Sequence, residues 1–116
     1  MLYNYTNTNN PVNFPQRKPT NKLTKDGKVA VIYSSVYGTP WYNDHGCLDL
    51  VFDPHIVAIH QNPREVEEYV SQVYQQEVYA DGLAVAWIAL GSEFVIQEYD
   101  GKESVVYKED FSWITA

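Results

Sequence analysis

The segment that decides the fold is Phe94-Val-Ile-Gln-Glu-Tyr-Asp-Gly-Lys-Glu-Ser-Val-Val-Tyr107, near the end of the 116-residue chain. Two runs of β-branched and aromatic residues flank Asp100-Gly101. Both residues of this dipeptide tolerate positive φ, so it is a strong signal for a two-residue hairpin turn. The segment therefore predicts two antiparallel strands.

The two-residue turn fixes which side chains face each other across the predicted hairpin. Ile96 faces Val105 on an apolar face, and Glu98 lies opposite Glu103. Like charges directly across a ladder are unfavourable by up to about 1 kcal/mol. We expect the two carboxylates to splay into water, and a cation between them is the alternative.

Two further apolar runs predict strands. Lys28-Val-Ala-Val-Ile-Tyr33 is bounded by turn-forming residues and is typical of a buried strand. Leu83-Ala-Val-Ala-Trp-Ile-Ala-Leu90 is apolar throughout, which is expected for a central strand covered on both sides. We expect Trp87 and Phe94 to fill the core.

Two helices are predicted between these strands, each starting with the same pair of residue types. Asp53-Pro54 and Asn62-Pro63 each place an N-cap side chain before a proline at the first helical position. The second helix is predicted to run to about Gln76, with apolar residues at spacings of three and four.

The order β-α-α-β-β-β predicts an α+β fold, a small and mostly antiparallel sheet with two helices on one face. Residues 25–116 are predicted to form this single domain, with 110–116 as a short strand or docked terminus. Residues 1–24 are rich in asparagine and proline, which predicts an extended polar arm.

Charge is distributed unevenly along the chain. Up to Lys28 there are five basic residues and one acid, a net charge of +4, whereas the remainder has three basic residues and fourteen acids, −11. An acidic body repels phosphates, so we expect no direct nucleic-acid binding and a partner protein with a basic surface.

The sequence contains no apolar span, no signal sequence and no second cysteine. We therefore expect the chain to be cytoplasmic and to bind no membrane.

The loop predicted between Ser35 and Gly46 contains the residues of the chain that are most typical of a binding site. Exposed tyrosine and tryptophan are unfavourable unless they contact something, and binding residues concentrate in loops at strand ends. A further tyrosine lies in a second predicted loop. The candidate binding residues are Tyr37, Trp41, Tyr42, Asn43, Asp44 and Tyr79.

No arrangement of residues indicates catalysis, a metal site or a cofactor. Metal-ligating residue types cluster between Asp44 and Asp53, but their spacing matches no established site. His45 and Cys47 lack an orienting group, so a thiol nucleophile is not predicted.

A series of motifs follows in order along the body: Tyr37-Gly38 with Trp41, Asp53-Pro54, Ala80-Asp-Gly-Leu83, and the hairpin with Trp113-Ile114 after it. Through these motifs, about residues 28–116 resemble a family of small, uncharacterised proteins encoded by bacteriophages. Family members have a loop like Gly-Tyr-Gly-Ala-Gly-Trp where this chain has Val36-Tyr-Gly-Thr-Pro-Trp41. The resemblance implies no established activity and no catalytic residue.

Small acidic phage proteins often bind and block a host protein. Our first hypothesis is therefore a non-catalytic accessory protein, for host takeover or anti-defence, that engages a basic host protein in the host cytoplasm through an acidic, tyrosine-rich surface. The alternatives are a protein that sequesters a nucleotide or another small ligand near Tyr37, Trp41 and Tyr42, and a virion or assembly component laced by its N-terminal arm. A homo-oligomer is compatible with each of these, and a small enzyme is the last alternative.

Overall fold

The computed structural model describes residues 22–110, so most of the arm predicted for 1–24 and most of the closing segment predicted for 110–116 lie outside the described residues. These residues form five strands: β1 (Thr24–Lys25), β2 (Lys28–Ser34), β3 (Leu83–Ala89), β4 (Phe94–Tyr99) and β5 (Lys102–Tyr107). The helices are α1 (Tyr42–His45), α2 (Leu48–Phe52), α3 (Pro54–Ile59) and α4 (Pro63–Val73), followed by a 3-10 turn at Lys108–Asp110. None of the described helices is long and apolar enough to cross a membrane.

The strands form two antiparallel sheets, β1-β2-β3 and β4-β5. The predicted α+β class with antiparallel pairing is confirmed. The predicted single sheet is wrong for the described residues, because the β4–β5 hairpin pairs with itself and meets the end of β2 through a side chain. Within residues 22–110, the two predicted helices are present as α3 and α4, and two further short helices, α1 and α2, precede them.

β2, and not β3, is the central strand of the larger sheet. Residues 29–32 are all buried, whereas β3 lies last in the strand order and its Trp87 is 37% exposed. The predictions that β3 is covered on both sides and that Trp87 fills the core are therefore wrong for the described chain. β2 and β3 are both apolar runs, so their composition does not show which of them is central. β2 is central because β1 folds back and pairs with its free edge.

That hairpin turns at Asp26-Gly27, where both residues have positive φ (54° and 75°). The same residue pair forms the predicted turn at Asp100-Gly101, with φ of 52° and 88°. From the sequence alone, Asp26-Gly27 is interpreted only as a turn that bounds β2. It is a second hairpin signal of the same type.

The predicted helix starts are confirmed. Asp53 caps α3 by accepting a hydrogen bond from the His55 backbone N–H (2.7 Å). Its second oxygen accepts from the hydroxyls of Tyr69 (2.8 Å) and Tyr74 (2.6 Å), which attaches α4 to the start of α3. Asn62 caps α4, which ends at Val73, three residues before the predicted end.

Helices α2 and α3 pack against β2, and their buried side chains meet those of α4 in one core. The apolar residues of this core are contributed by strand and helix alike, among them Val31, Ile32, Leu50, Ile56, Val66 and Val70. The loop after β2 is anchored on this core, which fixes the position of its exposed end.

Candidate functional site

Two exposed tyrosines meet where the loop after β2 approaches the β4–β5 turn. Tyr37 is 63% exposed and Tyr99 is 73% exposed, and their rings lie edge to face with centroids 6.5 Å apart. Lys102 places its Nζ 5.3 Å from the centre of the Tyr37 ring. Glu98 and Asp100 complete this patch, which we call the tyrosine surface.

The tyrosine surface is held by a close backbone contact. The Gly38 N–H donates a hydrogen bond to the Asp100 carbonyl (2.6 Å). Gly101 is buried at φ 88°, and a Cβ there would collide with the backbone nitrogens of Gly38 and Thr39. The two segments can approach this closely only because residue 101 has no side chain.

A buried carboxylate lies behind this contact. Glu103 is 1% exposed and accepts hydrogen bonds from the Ser34 N–H (2.9 Å), the Asn43 N–H (2.8 Å) and the Asn43 Nδ2 (3.0 Å). One side chain thus joins the end of β2, the start of α1 and β5. These N–H groups replace the water that a carboxylate loses on burial.

The predicted pairing of Glu98 with Glu103 is confirmed, but the prediction that both splay into water is wrong. Only Glu98 is exposed, and it accepts from the Gly101 N–H (2.6 Å). Glu103 turns inward, and among residues 22–110 its partners are N–H groups and not a cation.

Two open clefts border the tyrosine surface. One, of about 580 Å³, is lined by Tyr37, Gly38, Pro40, Glu98, Asp100 and Gly101. The other, of about 570 Å³, is lined by Asn43, Ile96, Gln97, Glu98, Tyr99, Lys102 and Ser104. Glu98 lines both, so the predicted residues Tyr37 and Asn43 belong to neighbouring clefts.

Trp41 is not a surface residue, and the prediction that it is exposed is wrong. It is 1% exposed, donates from Nε1 to the Leu50 carbonyl (3.2 Å) and lies edge to face against His45. The end of the predicted loop folds into α1, and Trp41, directly before this helix, lies in the core. Its indole is unable to stack on a ligand.

Tyr42 is half-buried and lies in a different groove, of about 710 Å³, with Leu48, Phe52 and Phe94. Asp44 is exposed on α1. Since Trp41 is buried and Tyr42 lines another groove than Tyr37, the structure does not bring these three aromatic residues together in one pocket.

Tyr79 is exposed as predicted, at 70%, but lies in a separate cleft. That cleft, of about 410 Å³, is lined by Arg64, Glu67, Glu68, Ser71, Glu77, Val78 and Tyr79. It is also acidic, yet it contains only one tyrosine.

In the structure of residues 22–110, the contact between His45 and Cys47 is not a thiol–base pair. The Cys47 backbone N–H, and not its thiol, donates to His45 Nδ1 (2.9 Å). Burial lowers the pKa of His45 from 6.5 to about 4, against the opposing effect of Asp44. Within residues 22–110, no three His, Cys, Asp or Glu side chains gather in a way that would hold a metal ion.

Tyr99, Glu98 and Asp100 belong to the tyrosine surface but are not among the binding residues predicted from the sequence. A signal for Tyr99 was present, because side chains alternate between the faces of a strand. Phe94 and Ile96 define the apolar face of β4, so Tyr99 lies on the opposite face and next to the turn. The pairing of Tyr99 with Tyr37 was not predictable, since it depends on the packing of two distant segments.

Comparisons of the chain with protein-family models, with curated proteins and with solved structures found no match. The resemblance to phage-encoded proteins therefore stays a prediction.

Proposed function

We propose that this is a non-catalytic binding protein whose tyrosine surface engages a basic segment of another protein. The observation that carries the proposal is the pair of exposed tyrosines, Tyr37 on the loop after β2 and Tyr99 at the β4–β5 turn, whose rings meet beside the carboxylates of Glu98 and Asp100. Tyrosine is enriched among the residues that dominate binding energy at protein interfaces.

The rigidity of the turn supports this role. The Gly38 to Asp100 hydrogen bond and the three donors to Glu103 hold the tyrosine surface in one arrangement. A preorganised surface loses little conformational entropy on binding, so more of the contact energy appears as affinity.

The chemistry of the surface favours arginine as the contacting side chain. Lys102 near the Tyr37 ring shows that a cation reaches its face, and Glu98 and Asp100 lie beside it. A guanidinium can stack on an aromatic ring while it donates hydrogen bonds to a carboxylate. Residues 22–110 contain six basic and fifteen acidic residues, and this net charge of −9 attracts a basic partner.

The resemblance to phage-encoded proteins suggests a bacterial host protein as this partner. We propose an accessory role, host takeover or anti-defence, in which the bound host protein is blocked. Salt should weaken the complex, because the attraction between the opposite charges is screened.

The test begins with capture of partners from a lysate of host bacteria, followed by binding measurements with each purified partner. The Tyr37→Ala/Tyr99→Ala double variant should raise Kd by about a hundredfold or more, equivalent to two residues of about 1.4 kcal/mol each. Tyr79→Ala is the matched control, because Tyr79 is equally exposed in a different cleft. It should leave Kd within about twofold.

Two outcomes contradict the proposal. In one, every captured protein binds the double variant as tightly as the wild type. In the other, Tyr79→Ala weakens binding while the double variant does not, which would assign the interaction to the cleft at α4.

A further inference from the structure

The outer edge of β3 is open in the described part of the chain. β3 pairs with β2 along one edge, and no other strand within residues 22–110 pairs with it. The Leu90 N–H donates to the Gly27 carbonyl, and the Ser35 N–H donates to the Gly82 carbonyl. Antiparallel ladders alternate, so the even-numbered residues of β3 turn their backbone groups toward β2 and the odd-numbered residues turn theirs outward.

The backbone groups that face outward belong to Leu83, Val85, Trp87 and Ala89. The Ala89 N–H confirms this orientation, because it donates to the Tyr107 hydroxyl (3.1 Å) on the side away from β2. The Ala89 carbonyl accepts from the Ser92 N–H (3.1 Å), so both backbone groups of Ala89 have partners in this chain. The outward groups of Leu83, Val85 and Trp87 pair with no strand within residues 22–110 and leave a row of donors and acceptors for a further strand.

The composition of β3 does not protect this edge. Natural edge strands are shielded by charged residues, proline or bulges. Leu83–Leu90 contains no charged residue and no proline, and its seven paired residues run against β2 without interruption. Trp87 is 37% exposed and Leu90 is 65% exposed. A continuous apolar run is typical of a strand inside a sheet, and this is the position that the sequence predicted for it.

We propose that a second copy of this chain covers the edge by pairing its own β3 antiparallel to it, which joins two three-stranded sheets into one of six strands. Around a two-fold axis, the outward groups of one copy meet those of the other, so a strand of this kind is its own complement. Trp87 of each copy then packs near the two-fold axis on the face of the joined sheet.

Charge favours β3 as the place where two copies meet. With a net charge of −9 over residues 22–110, most contacts between two copies would set acids against acids. β3 is an uncharged stretch, so two copies can approach there with the least repulsion. Leu83–Leu90 offers no charged side chain with which a strongly charged partner could pair. The β3 edge differs in this respect from the tyrosine surface.

The inference is independent of the proposed function, because the tyrosine surface is built from the loop after β2 and the β4–β5 turn. Either proposal can fail while the other holds.

The first measurement is sedimentation equilibrium of the full chain at about 100 µM, well above a micromolar Kd. We expect twice the 13.3 kDa of one chain. Hydrogen exchange by NMR should show the Val85 and Trp87 amides protected in the dimer and released on dilution. A monomer at this concentration overturns the proposal, as does a dimer in which both amides exchange like exposed loop amides.

Two variants locate the interface. Val85→Pro removes an N–H that faces away from β2, and proline is tolerated at such edge positions. Trp87→Lys adds a charge at a side chain that is already exposed, so it tests the edge even if the proline variant does not fold. Both should sediment as monomers.

Tyr79→Lys is the matched control, since it adds the same charge at an exposed aromatic residue in another cleft, and it should remain dimeric. A dimer that persists in folded Trp87→Lys, or that is lost equally in Tyr79→Lys, overturns the proposal.

Discussion

Glu103 illustrates how one residue can join separate parts of the molecule. Its carboxylate is buried and accepts from two backbone N–H groups and one side-chain amide, on Ser34 and Asn43. A carboxylate accepts hydrogen bonds at both oxygens, whereas a carboxamide presents an N–H₂ group in place of one.

Glu103→Gln should therefore set a donor against a donor and destabilise the fold by about 1–3 kcal/mol. Urea unfolding followed by circular dichroism measures this change. Glu68→Gln, at an exposed position of α4, is the control and should change the free energy of unfolding by less than about 0.5 kcal/mol. Equal effects of the two variants on the free energy of unfolding would show that the hydrogen bonds to the Glu103 carboxylate do not stabilise the fold.

His45 makes stability depend on pH. Burial lowers its pKa from 6.5 to about 4, so between these values the unfolded chain binds a proton that the folded chain does not. The contribution of His45 is complete above pH 6.5 and is lost as the pH falls toward 4, by roughly 3 kcal/mol in total. His45→Asn keeps an acceptor near the Cys47 N–H and cannot be protonated.

Unfolding free energies measured from pH 7 down to pH 4 should fall less steeply in His45→Asn than in the wild type. The variant shares every carboxylate with the wild type, so the difference between the profiles isolates His45. Parallel profiles would contradict the assignment.

At the scale of elements, local signals were predictable and contacts between distant segments were not. The Asp100-Gly101 turn, the Asp53 and Asn62 caps and the main strands each follow from a few neighbouring residues. The burial of Trp41 depends on the Leu50 carbonyl and on the short helices α1 and α2. The tyrosine surface depends on a loop and a turn more than sixty residues apart in sequence.

The contact between that loop and the hairpin can be tested with two glycines of similar conformation. Gly101 (φ 88°) faces the backbone of Gly38 and Thr39, whereas Gly91 (φ 85°) has nothing within 4 Å of an added Cβ. Gly91→Ala should lower the free energy of unfolding by about 1–2 kcal/mol through backbone strain alone. Gly101→Ala should lower it by about 3 kcal/mol or more, because a steric clash is added.

Chemical denaturation of the two variants gives the comparison, and the 1H–15N spectrum of Gly101→Ala should show shifts at Gly38 and Thr39. Equal losses of stability in Gly101→Ala and Gly91→Ala would mean that the loop after β2 and the β4–β5 hairpin are not in close backbone contact.

At the scale of the whole molecule, the excess of acids opposes the compact state. Residues 22–110 carry a net charge of −9, and like charges repel more strongly when the chain is folded. Salt shortens the range of this repulsion from about 30 Å at 0.01 M to about 10 Å at 0.1 M. Added sodium chloride should therefore stabilise the fold.

We expect a gain on the order of 1 kcal/mol, equivalent to roughly 4–8 °C in Tm for a domain of this size. Glu77→Gln/Glu109→Gln changes the net charge of residues 22–110 from −9 to −7, and Glu77→Lys/Glu109→Lys changes it to −5. Both positions are exposed, and neither belongs to the tyrosine surface or to β3. The gain in Tm with salt should decrease in the order wild type, glutamine pair, lysine pair. The same gain in all three proteins would mean that salt acts through water and the apolar surface, and that the acidic body carries no measurable repulsion of its own.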